Sequence, residues 1–133
     1  MKPIPFPGFP ARMDFTSVPT VFITRLMPEI DDINELKATL HLIQALYHKR
    51  GYPRYVSFAE LTGDNTLLAG LKQDCHTPAE TLRRALDRAV ERGVVASRQV
   101  EKNGESDEIF VLNNEEGRKT LDKLAHGELA PRA

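Results

Sequence analysis

The residues best placed to do chemistry follow Thr77. From position 78 to 102 the sequence carries Arg83, Arg84, Arg88, Arg92, Arg98 and Lys102 against Glu80, Asp87, Glu91 and Glu101. That is a local net charge of +2 in a chain whose total is −1. On a helical projection Arg84 and Arg88 lie opposite the apolar positions Leu82, Leu86 and Ala89, with Arg83 and Arg92 flanking them. Exposed guanidinium groups in such a row contact phosphates or read a guanine edge. The same row can also satisfy itself. Glu80 and Arg84 stand four apart, and Arg84–Asp87 and Arg88–Glu91 stand three apart, which is the spacing of surface ion pairs. Arg83, Arg84 and Arg88, joined by Arg98 and Lys102 just downstream, are the candidate residues for double-stranded DNA, with a self-paired surface as the competing reading.

No catalytic constellation accompanies them. Cys75-His76 is the one cysteine and its histidine neighbour, without the further ligands that zinc requires. It also lacks the orienting third group that a thiol nucleophile requires. His41 and His48 lie seven apart and have no metal-site spacing. Phosphate-binding glycine loops, H-E-x-x-H and G-x-S-x-G are all absent. We therefore expect no enzyme, no cofactor and no metal.

The second unusual stretch is the N-terminus. Five of the nine prolines, Pro3, Pro5, Pro7, Pro10 and Pro19, fall in the first nineteen residues. Each removes a backbone donor and holds its predecessor extended. Phe6, Phe9 and Phe15 are spread along this arm. Bare phenylalanines on an extended segment call for a surface to cover them. They either fold back on their own domain or cross to a second copy. The apolar segment Val21–Met27 follows, one or two helical turns long before Pro28. Phe6, Phe9, Phe15, Val21, Phe22 and Leu26 are the candidate oligomer contacts.

The elements that must position these residues are readable from caps and periodicity. Asp32 with Glu35 opens a helix over about 32–50, with an apolar stripe at Ile33, Leu36, Leu40, Ile43 and Tyr47, Leu46 alongside. Residues 52–56 are aromatic and β-branched, a short edge strand. Ser57-x-x-Glu60 is a capping box for a short helix, broken at Gly63-Asp64-Asn65, with a further turn or two over 66–71. Thr77-Pro78-Ala79-Glu80 is the sharpest helix start, and Gly93 ends that helix. Two β-prone runs, 94–100 and 109–112, flank Asn103-Gly104 and predict a hairpin with a floppy tip. Asn113 with Glu116 starts a last helix that closes at His126-Gly127. In this order the elements predict an α+β, mainly helical chain: a winged helix-turn-helix with an extended proline-rich N-terminal arm. The divisions expected are the arm at 1–19, the winged helix domain at 20–126 and a tail at 127–133. A generic α+β bundle on a hairpin is the alternative.

Three passages carry a family resemblance: Val18-Pro19-x-x-Phe22, then Val56-Ser57-Phe58-Ala59-Glu60-Leu61, then Leu82-x-x-Ala85-Leu86-x-x-Ala89-x-x-x-Gly93-Val94-Val95. Over roughly residues 18–125 the chain resembles the N-terminal winged helix domain of DnaD-type replication initiation proteins. The resemblance implies a role in primosome assembly or helicase loading, contact with replication proteins, and self-association as a homodimer or higher homo-oligomer. Those proteins usually carry a second, C-terminal DNA-binding domain, and this chain ends near where it would begin. The resemblance thus carries assembly further than DNA binding. The alternatives are a purely protein–protein winged helix and a small transcriptional regulator.

The remaining bounds come from composition. A chain of 133 residues suits one domain. With 41% hydrophobic and 28% charged residues it is neither wholly disordered nor a membrane bundle. No apolar run approaches the roughly 18 residues of a membrane span. Met1-Lys2 leads into prolines instead of a secretory leader, and one cysteine excludes a disulfide framework, so a reducing, cytoplasmic setting is expected.

Overall fold

A computed structural model describes residues 4–51, 53–71, 76–102 and 104–125. Within them the chain is α+β and mainly helical. An extended arm runs to residue 19. A wide helical turn, Phe22–Leu26, and a 3₁₀ turn, Met27–Glu29, lead into α1 (Ile33–Tyr47). Then come β1 (Val56–Ser57), α2 (Phe58–Thr62), α3 (Asn65–Gly70), α4 (Pro78–Arg92), β2 (Val95–Lys102), β3 (Glu105–Leu112) and α5 (Glu115–Ala125). The three strands form one antiparallel sheet in the order β1-β3-β2.

The caps explain where the helices begin. Thr77 accepts from the Glu80 N–H, Pro78 occupies the first helical position, and Gly93 closes α4 in the left-handed region at φ 86°. Ser57 and Glu60 complete a reciprocal capping box on α2. Asp64 starts α3 by accepting from the Leu67 N–H, so the residue read as part of a break is itself a cap. Asn114 caps α5 through the Gly117 N–H at 2.7 Å. Asn113, expected in that role, instead donates to the Gly93 carbonyl and ties α5 to the end of α4.

Two apolar clusters share β3. Phe110 points into the main core with Phe22, Ala38, Leu42, Leu67, Leu82 and Leu86. Ile109 and Val111 point the other way, against Leu121, Leu124 and Tyr55. Strand alternation thus lets one strand serve two layers. α5 lies so close to β3 that a Cβ on Gly117 would sit 2.1 Å from the Leu112 carbonyl oxygen, so only glycine fits.

Three expectations need correction. The stripe on α1 is rotated: Ile33, Leu40 and Tyr47 are exposed, and the buried face is Glu35, Ala38, Thr39, Leu42, Ile43 and Leu46. Ala38 and Leu42, both fully buried, lie at the centre of that face, which leaves Ile33, Leu40 and Tyr47 on the outer side of the helix. Glu35 does not close a capping box, because its carboxylate turns inward. The hairpin tip is not a floppy loop, since the ladder continues to Lys102↔Glu105 and leaves two residues between strands. Asn-Gly is the favoured pair for that tight connection, and Gly104 has φ +80°. Tyr52, Cys75, Asn103 and residues 126–133, including the expected tail, lie outside the described residues.

Candidate functional site

α4 sits in front of the hairpin and rests on α1, so its arginines divide among three surroundings. Arg83 faces the hairpin. Its guanidinium lies 4.1 Å from the centre of the Phe58 ring, pairs with Glu108 of β3 and lies 3.6 Å from Asp87. Stacked and paired in this way, Arg83 serves the joint between α2, α4 and the sheet.

Arg92 faces α1. Its Nε donates to Glu35 Oε2 at 2.6 Å and its Nη2 to Oε1 at 3.1 Å, a bidentate pair. Glu35 is only 1% exposed. The hydrogen bond it donates to Glu35 holds the Arg92 guanidinium above its ordinary value, outweighing the burial that lowers it. One turn earlier, Arg88 Nε stands 3.4 Å from Asp32 Oδ2, with Arg88 largely exposed. The expected Arg88–Glu91 pair is thus replaced by one to α1.

Arg84 is different. Among the described residues it makes no hydrogen bond or ion pair, so neither of the pairs read from its spacing is formed. The partners are taken elsewhere: Glu80 lies 3.5 Å from His76, and Asp87 faces Arg83. Arg98 is exposed on β2. The Lys102 side chain lies outside the described residues. Of the five candidate DNA residues, the structure leaves Arg84 and Arg98 open, Arg88 half-engaged and Arg83 engaged. Acidic residues surround them, with Glu80, Asp87 and Glu91 on α4 and Glu101 and Glu105 at the hairpin end.

At its base Val18 packs against the main core, but the phenylalanines of the arm do not fold back on it. Phe6, Phe9 and Phe15 are 66%, 80% and 70% exposed, with Ile4 ahead of them and Met13 between the last two also exposed. Phe6 and Phe9 meet edge to face at 5.0 Å, across a bend that Gly8 makes at φ +107°. Val21 is exposed, as expected of a contact residue. Phe22 is not: it is 2% exposed and belongs to the core, with Leu26 packed beside it. The physical reason is the turn Phe22–Leu26, which points Phe22 at the helices and leaves Val21 and Ile23 outward. Met27 is exposed as well, as are Ile33, Leu40 and Tyr47 of α1. The signal for α1 is present in the sequence as three apolar residues at a spacing of seven, a pattern that periodicity alone reads as core.

At the root of the arm lies an apolar groove of about 270 Å³. Ser17 and Pro19, Ile43 and Tyr47 of α1, Val111 of β3 and Gly117 of α5 line it, and no phenylalanine of the arm does. Among the described residues no group of histidines, cysteines and acids could hold a metal ion, and no helix is long and apolar enough to cross a membrane. No family model, no curated protein and no solved structure matches this chain.

Proposed function

We propose that this chain is a winged helix assembly module that self-associates through its N-terminal arm. Its role is to build a cytoplasmic replication-initiation complex, as the DnaD-type resemblance implies, with no catalysis of its own. Helices α2 to α4 ahead of a hairpin, with sheet order β1-β3-β2, support the winged helix reading. The observation that carries the assembly reading is the row of exposed phenylalanines on an arm that prolines keep extended. Each contributes roughly 1.5–3 kcal/mol when fully buried. Two or three together offset the cost of association. A second copy supplies both halves of the contact, phenyl rings and an apolar groove. In sedimentation at tens of micromolar the full chain should run as a dimer or larger. Deleting residues 1–17 should shift it to monomer with an unchanged helical signal. A full chain that stays monomeric there overturns the reading.

A second reading, direct contact of α4 with duplex DNA, is favoured by one observation, the unpartnered Arg84. In a gel shift at low salt, Arg84→Ala should weaken retention of a duplex, and added salt should weaken it further through counterion release. Equal retention by the variant removes α4 from the contact surface.

A further inference from the structure

A small polar notch lies between the first turn of α1 and the middle of α4, and no residue of the arm lines it. Asp32 and Asn34 line it from α1, and Thr81, Arg84 and Arg88 from α4, with His76 at its edge. Thr81, Arg84 and Arg88 recur at three and four residues, so α4 turns one continuous stripe toward it. We propose that this notch is a binding site for a phosphoryl oxyanion.

Three features point to an anion. Arg84 is a cation with no partner among the described residues, on the wall of a notch of about 130 Å³. One liquid water takes roughly 30 Å³, so a tetrahedral oxyanion and its nearest water fit. Thr81 is 6% exposed, and its buried hydroxyl has no hydrogen-bond partner. An unsatisfied hydroxyl inside a fold costs about 1–3 kcal/mol, and the residue that carries this one lines the notch. The third feature is the carboxylate already there. Asp32 Oδ1 accepts from the Asn34 and Glu35 N–H groups at 2.8 and 3.0 Å, and Oδ2 faces Arg88. Its charge is taken up by the start of α1 and by Arg88, which leaves the charge of Arg84 for the ligand. A phosphate held there accepts from the Arg84 guanidinium, from the outward side of Arg88 and from Thr81.

Phosphate chemistry has two sources here, a free phosphate or phosphomonoester and the backbone of a duplex. Amide NMR on the full chain separates them. Inorganic phosphate should give saturable shifts centred on residues 32–34, 81, 84 and 88, which chloride at equal ionic strength does not give. Arg84→Gln should weaken that binding about tenfold, the loss of one charge-assisted contact. Thr81→Val keeps the shape and removes the hydroxyl, so it should weaken phosphate binding while leaving stability equal or higher. A short duplex that shifts the same amides, with the shift lost in Arg84→Gln, assigns the site to backbone phosphate. A duplex that leaves them unmoved, beside binding of inorganic phosphate, assigns it to a free phosphate. Non-saturable shifts, or the same affinity in wild type and both variants, overturn the site. Deleting the arm does not alter any of these outcomes, so self-association and phosphate binding fail separately.

Discussion

Phe15 and Phe22 stand seven residues apart on either side of Pro19, and the fold uses them in opposite ways. Phe22 lies in the main core among Leu42, Leu82 and Phe110. Phe15 is 70% exposed on an arm whose polar tether to the body is a 3.3 Å contact between Thr16 and His48. α4 repeats the contrast with arginines. Arg92 and Arg88 both reach α1, four residues apart, yet one pairs with a buried carboxylate and the other with a half-exposed one. In both cases residue type is the same and the surroundings differ. What lies within reach decides whether a side chain maintains the fold or is left for a partner.

That contrast can be broken by measurement. The largest effect should come from Phe22→Ala, a loss of about 3–5 kcal/mol of unfolding free energy in urea. Phe15→Ala should change the monomer by no more than ~0.5 kcal/mol. Equal losses would place the arm on its own core. Arg92→Ala should cost about 3 kcal/mol, because it strands the Glu35 carboxylate in the interior, whereas Arg88→Ala should stay below about 1 kcal/mol. Matching values would mean that water reaches Glu35. Gly117→Ala should cost about 1–3 kcal/mol or more, read in the same unfolding experiment, as α5 is pushed from β3. The smallest effect sharpens the picture from the other side. Thr39 is buried in α1 with an unpartnered hydroxyl, so Thr39→Val should be neutral or raise the melting temperature slightly.

Much of the framework was readable before the structure because it is written in local chemistry. Thr77-Pro78-Ala79-Glu80 and Ser57-x-x-Glu60 are cap signals whose partners lie within three residues: the Ser57 box forms in full, and Thr77 caps α4, although the Glu80 carboxylate faces His76 instead of closing a box. The hairpin is readable for the same reason, although polar residues such as Glu101, Glu105 and Ser106, exposed on the ladder, read as a longer tip than the strands leave. What escaped depends on distant partners. Glu35 looks like a capping residue until Arg92, fifty-seven positions later, takes its carboxylate. Periodicity gives the α1 stripe a face but not its direction, and Ala38, fully buried on that helix, is not conspicuous as apolar. The candidate DNA residues were named by spacing within α4. Spacing does not disclose that Phe58 and Glu108 would claim Arg83 and leave Arg84 open.

The placement of β3 at the centre of the sheet has a consequence in time. Its pairing with β2 joins residues that are neighbours in the chain, while its pairing with β1 joins Val56 to Phe110, about fifty positions apart. The hairpin is of the kind that closes in microseconds. The β1–β3 contact must wait for α1 to α4 to gather, since a long loop closes only at an entropic cost. Until it does, Phe110 has no finished core to enter and the free edge of β3 is open. The slow step of folding should therefore be sensitive to substitutions at Val56 and Phe110 and indifferent to those at the hairpin tip.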